Sequence, residues 1–213
     1  MAKFPIPDGV FLNWNISRSK YKPLTSEITE ILTKHQAWIV GKDNGKKVNI
    51  RNAQLQGADL HGADLYAANL TGANLIGANL LGANLSGVDL SNADLSNALL
   101  TNANLEDADL MGANLSGAYL SGVILRYADL MGADLSGAKL RGANLRSANL
   151  EGADLSNANL SYANLYDADL SYTNLSNANL RYANLTGAFL FQSDLTGADV
   201  TGADLTNVEG FQQ

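Results

Sequence analysis

Ala58-Asp59-Leu60-His61-Gly62-Ala63-Asp64-Leu65-Tyr66-Ala67-Ala68-Asn69-Leu70 is a five-residue phrase said over and over, and its period decides the fold. From Ile50 to Leu205 every fifth residue is Leu in 30 of 32 positions, Ile50 and Val200 being the exceptions. Two residues before this centre stands Ala in 27 units, and one before it stands Asn or Asp in 26. A helix wants apolar residues about every 3.6 positions and a strand every 2, so a strict five fits neither. The chain is a repeat architecture and has to be read unit by unit.

Centre and minus-two are apolar with a polar residue between them, which makes a three-residue stretch of strand pointing in, out and in. The other two positions must turn the chain. Plus-two is Gly in 16 units and Asn in seven, the residues that most cheaply take the positive φ of a type II turn. A short strand and a corner, repeated, wind a coil with Leu and Ala inside. Asn and Asp at minus-one are expected to bond neighbouring backbone amides. Val88, Val123, Thr173 and Ser193 stand where the other units have Ala, and each is expected to bulge the wall slightly. Tyr127, Tyr162, Tyr172 and Tyr182 occupy plus-two, where positive φ is costly for a bulky residue; a switch to another turn type is expected there.

The unit A-(D/N)-L-x-x resembles the pentapeptide-repeat family, whose members abound in cyanobacteria. The resemblance implies an all-β solenoid, a right-handed quadrilateral parallel β-helix with four units per coil. Thirty-two units then make eight coils, about 38 Å long at the usual strand spacing. It also implies a leading α-helical cap. The expected organisation is an irregular N-terminal arm over 1–24, a capping helix and turn over 25–47, the β-helix over 48–207 and a tail over 208–213.

Stacked repeats leave an apolar face at each end. Ile28, Ile31, Leu32, His35, Trp38 and Ile39 fall on one helical stripe, with Thr25 as N-cap, Glu27 and Glu30 at the positive end and Gly41 as stop. In the arm, Pro5, Pro7 and Pro23 favour an extended path, and Phe11-Leu12-Asn13-Trp14 is a candidate to pack back on the rod. Near the other end Phe189, Phe191 and Phe211 gather. Either they fold over the last coil, or they meet a second copy in a homodimer.

Residues 48–213 carry 17 Asp/Glu against six Lys/Arg, within a chain of net charge −7. Such a body is not suited to bind nucleic acid directly, which needs bases to neutralise phosphate. Nothing in the chain is long and apolar enough for a membrane span or a signal peptide, so a soluble, cytoplasmic protein is expected. Cys is absent and there are only two His, His35 and His61, so neither a zinc site nor any other cofactor is expected. The Gly residues follow the repeat rather than a strand-to-helix junction, so they are not phosphate loops. Flat walls offer no deep pocket. The reading is of a protein that is not an enzyme.

Residues twenty apart share a column if four units close a coil. Walls one (Leu70, Leu90, Leu110) and two (Leu75, Leu95, Leu115) then hold ten acids and one base, Arg51. Walls three (Leu80, Leu100, Leu120) and four (Leu85, Leu105, Leu125) hold seven acids and five bases. On these two walls Leu99, Tyr119, Ile124 and Lys139 break the Asn/Asp rule at minus-one, with Arg126, Arg141 and Arg146 close by. Exposed apolar and aromatic residues rimmed by Arg, as these are expected to be, suit a protein-binding patch, although ladders on a rod wall can also be plain packing. Met111 and Met131 form a second ladder on wall one. The expected function is that of a non-catalytic interaction or regulatory rod with an unidentified protein partner. The alternative, which the family resemblance implies, is a DNA mimic that binds a type II topoisomerase such as gyrase.

Overall fold

The computed structural model describes residues 24–210. Parallel bridges join each minus-one residue to the one twenty positions later, from Asn49–Asn69 through Leu99–Tyr119–Lys139 to Phe189–Glu209. Four units therefore make one rung of a stack. The reason lies in the backbone amides, four of which in each unit of the interior rungs have a fixed main-chain acceptor. Leu60 N donates to Asn79 O at 2.8 Å and Gly62 N to Leu81 O at 2.9 Å, both one rung on. Asn79 N donates back to Ala58 O at 2.9 Å, and Ala63 N closes the corner onto Leu60 O at 3.0 Å. The fifth amide, at plus-one, has no backbone acceptor. From Asp59 to Asp204, every Asn or Asp at minus-one accepts that amide through Oδ1, as Asp154 does from Ser156 N at 2.8 Å and Asp59 from His61 N at 3.3 Å. The Asn/Asp rule is thus a rule of hydrogen-bond completeness.

Centre and minus-two side chains fill the shaft. Leu70 to Leu170 are at most 1% exposed, and the Ala beside them are equally buried. At the last rung Leu195, Val200 and Leu205 are only half-buried. Where a larger residue replaces Ala the corner bond is 3.2 Å at Val88, Val123 and Ser193 and 3.3 Å at Thr173. These lie at or just beyond the long end of the Ala corners, which run from 2.9 Å at Ala78 to 3.2 Å at Ala128, so the wall hardly bulges. Thr173 hides its hydroxyl by donating to Leu150 O at 3.1 Å.

The tyrosine corners overturn one expectation. Tyr127, Tyr162, Tyr172 and Tyr182 keep φ between +58° and +61°, like the glycine corners. The bond across the corner survives, as from Ala163 N to Leu160 O at 3.0 Å, and Tyr162 N still reaches the next rung at Arg181 O, 2.9 Å. Left-handed backbone costs a non-glycine residue roughly 1–2 kcal/mol. A type I turn would keep the bond across the corner but flip the central peptide and turn the plus-two N–H away from the next rung. Keeping that inter-rung bond offsets the cost, and the four rings are about half exposed.

Helix α1 (Ser26–Ile39) precedes the stack. Thr25 Oγ1 accepts Ile28 N at 3.3 Å as its N-cap. Gly41 follows at φ +70°. Ile28, Ile31 and Leu32 pack on the aliphatic core. His35 is fully buried; its Nδ1 accepts Val48 N at 3.1 Å, and its ring stacks on Trp38, which stacks on Tyr66. The Val48 contact requires a neutral ring protonated on Nε2. Burial pulls the His35 pKa below 6.5, assisted by Lys47 and opposed by Asp64 and the Tyr66 backbone. A proton binds the unfolded chain more readily than the folded one, so docking of α1 is at full strength above about pH 6.5 and weakens as pH falls through the folded-state pKa. Between pH 7.5 and 5.5 the melting temperature of the protein should fall more than that of His35→Gln. Parallel curves would show that the ring carries no such linkage.

Candidate functional site: the face of walls three and four

The rule-breaking residues come together as the sequence spacing requires. Leu99, Tyr119 and Lys139 are bridged in consecutive rungs of wall three, and Ile124 lies between Asn104 and Asn144 on wall four. Tyr119 is 49% exposed and Ile124 37%. Lys139 is exposed as well, but Leu99 is half-buried, contrary to its expected exposure. Its column neighbours Asn79 and Tyr119 flank it on both sides, so the free apolar surface is mostly that of Tyr119 and Ile124.

Arginines and tyrosines interleave across the corner. Arg141 lies 4.9 Å over the Tyr162 ring and Arg146 4.9 Å over Tyr166. Tyr162 in turn stacks on Tyr182 at 5.2 Å. Such contacts set a guanidinium over an aromatic ring without using up its N–H donors. Arg126 pairs with Glu106 and lies over Tyr127, and Arg181 pairs with Asp199 at 3.0 Å. Among the described residues, Lys139, Arg141 and Arg146 have no carboxylate partner. At minus-one, neither wall carries a carboxylate between Asp64 and Asp199. Asp199 itself is held down at about 2 by the Thr201 hydroxyl and amide and by Arg181.

One set of groups escaped the sequence reading. Where Leu99, Tyr119, Ile124 and Lys139 replace Asn or Asp, the plus-one amides of Thr101, Ser121, Arg126 and Arg141 lose their acceptor. Among the described residues no other group takes its place. Arg126 Nε is also buried with no partner. The missing Asn and Asp were the signal for these amides, but what the side chain does at that position is visible only in the folded corner.

The remaining candidates lie elsewhere. Phe189 and Phe191 stack on each other at 6.4 Å and are part-exposed, while Phe211 is outside the described residues, as is the arm with Phe11-Leu12-Asn13-Trp14. Met111 and Met131 are exposed on wall one. His61 Nδ1 lies 2.9 Å from Leu81 O at its corner. Among the described residues no group of His, Cys, Asp and Glu could hold a metal ion, and no helix is long and apolar enough to cross a membrane.

No curated protein matches the chain. Among solved structures, it is 35% identical to HetL, a pentapeptide repeat protein involved in heterocyst differentiation regulation in the cyanobacterium Nostoc sp. strain PCC 7120, over 82% of this chain and 92% of that one, with TM-score 0.48. It is 41% identical to a pentapeptide repeat protein of the Arabidopsis thaliana thylakoid lumen, over 46% and 68%, with TM-score 0.45. It is 22% identical to QnrB1, a plasmid-mediated fluoroquinolone resistance protein, over 73% and 91%, with TM-score 0.37. The profile of pentapeptide repeats matches in 8 copies between residues 46 and 209. With this match over most of its length, the chain belongs to the pentapeptide-repeat family.

Proposed function

We propose that this protein is a non-catalytic interaction rod, a right-handed stack of about eight coils closed at its start by α1, which presents walls three and four to a protein partner. One observation carries the reading: the Asn/Asp rule is broken in three consecutive rungs of one wall and at the adjoining corner, and nowhere else on these walls after Asp59. Packing does not require the break, because Asn or Asp fits the same position in every other unit there. It places an exposed Tyr and Ile beside unpaired cations, the composition of a binding patch. The regulatory role printed for HetL, a relative of comparable length, agrees with such a function.

Leu99→Asp with Tyr119→Ala should abolish capture of the natural partner from an extract of the source cells, with the thermal melt shifted only slightly, since both side chains lie outside the core. Undiminished capture would remove the patch. A second reading, the topoisomerase-directed DNA mimic, rests on the acid columns of walls one and two, such as Asp89–Asp109–Asp129. It requires inhibition or protection of gyrase in a supercoiling assay at micromolar protein. The interaction rod is expected to leave supercoiling unchanged.

A further inference from the structure

We propose that the face of walls three and four receives an acidic segment of a partner protein, whose carboxylates take up the bonds that the missing Asn and Asp leave open. This rests on the reading of that face as a protein-binding surface and adds the chemistry of what binds.

At every Asn and Asp from Asp59 to Asp204 a side-chain oxygen at minus-one accepts the plus-one amide, and Gln54 and Phe189, on walls two and one, make no such bond. On walls three and four Leu99, Tyr119, Ile124 and Lys139 replace that oxygen by two aliphatic groups, an aromatic ring and an ammonium. The freed amides of Thr101, Ser121 and Arg141 share one column of wall three, one per rung, about 4.8 Å apart. That of Arg126 lies on wall four. A carboxylate arriving from outside can accept from these amides as the chain's own Asp residues do at other corners. Charge-assisted bonds of this kind are roughly twice as strong as neutral ones.

The cations sit where the same carboxylates would arrive. Lys139 and Arg141 occupy minus-one and plus-one of one unit, the Lys139 Nζ donating to the Gly137 carbonyl of the preceding corner at 2.7 Å, and Arg146 stands at plus-one of the next unit in the same coil. The two guanidiniums lie over Tyr162 and Tyr166, contacts that do not use up their N–H donors, so these can grip a carboxylate in bidentate fashion. Arg146 also stands one rung above Arg126 in its column, a like-charged neighbour that the fold does not need and that an anion would relieve. On a body otherwise rich in acid, this is the region whose charge is complementary to a carboxylate.

The apolar groups set the direction. From Leu99 to Lys139 is two rungs, about 10 Å, which an extended chain covers in about three residues. The segment therefore runs along the rod, with an apolar side chain on Leu99 and Tyr119 and its acids about three residues away, at Lys139 and Arg141.

The test uses the full chain and a fluorescein-labelled peptide, Leu-Thr-Thr-Glu-Glu, with its Gln-Gln and Lys-Lys counterparts. The acidic peptide should bind and the other two should not, with affinity falling as salt rises. Arg141→Glu with Arg146→Glu should weaken binding at least about tenfold. Tyr119→Asn with Lys139→Asn restores the repeat rule, so this variant folds; it should lose the peptide to a similar degree while its melting temperature holds or rises. Equal binding of the Gln-Gln peptide, undiminished binding by the Asn variant, or no binding at millimolar peptide would overturn the proposal. So would sedimentation velocity that shows wild type self-associating at low salt and the Glu variant monomeric, which would put a second copy's acidic wall on this face. If the acidic peptide fails but Leu99→Asp/Tyr119→Ala still loses the natural partner, the wall remains an interface and only the carboxylate chemistry falls.

Discussion

Leu120→Ala is expected to cost roughly 3–5 kcal/mol, the upper part of the range for buried leucines. Leu120 is fully buried at mid-rod, in a column with Leu100 and Leu140. The size of the loss depends on whether the site can collapse. Here it cannot: Leu120 N is bonded to Lys139 O at 2.9 Å and its carbonyl to Val123 N at 3.2 Å, and the rungs above and below are bonded in the same way. The rung spacing is set by hydrogen bonds, so the cavity stays open. Leu205→Ala, at the half-buried last rung, should cost on the order of 1 kcal/mol, since little apolar area is lost from a site already wet on one side. Urea titrations of both variants measure the contrast. Equal costs would mean that the shaft relaxes around a void, against a backbone-fixed core.

The second large effect is expected at the turn between α1 and the stack. A Cβ on Gly45 would lie 2.2 Å from Trp38 N, 2.3 Å from Trp38 Cα and 2.6 Å from Ala37 C. These are backbone atoms of α1, so no side chain can swing aside, and the helix itself must move. Lys46 N, bonded to Lys34 O at 3.0 Å, would move with it, and so would the His35 contact to Val48. Gly45→Ala should therefore cost about 3 kcal/mol, the upper end for overpacking, and amides of residues 26–39 should exchange with solvent faster than those of the rod. Gly57→Ala is the control, with φ +62° but nothing within 4 Å of the added carbon; only backbone strain of about 1 kcal/mol is expected. If the two variants melt together, Gly45 is not a packing requirement.

Much of the fold was legible because the repeat is self-consistent at every level. Leu and Ala alternate with a polar residue at strand spacing, and the corner residues accept positive φ. Four units per rung, which the family resemblance implies and the period alone does not, sets the twenty-residue register that puts Leu99, Tyr119 and Lys139 in one column. Helix α1 was equally legible, since Thr25, the apolar stripe and Gly41 are local helix signals. The tyrosine corners were misjudged because single-residue preference was weighed without the inter-rung bonds that hold each corner. The outward direction of minus-one predicts an exposed Leu99, but its column neighbours cover much of it.

Composition and period by themselves settled that this chain winds into a repeat with an aliphatic interior, because a five-residue spacing leaves Leu no other way to be buried. The substitutions at minus-one show which amides, those of Thr101, Ser121, Arg126 and Arg141, lose their local Oδ1 acceptor. That no other group among the described residues replaces it, and that Lys139, Arg141 and Arg146 have no carboxylate partner there, was decided by the tertiary structure. Ion pairs such as Arg126–Glu106 and Arg181–Asp199 join residues about twenty apart that meet only once the rungs are stacked.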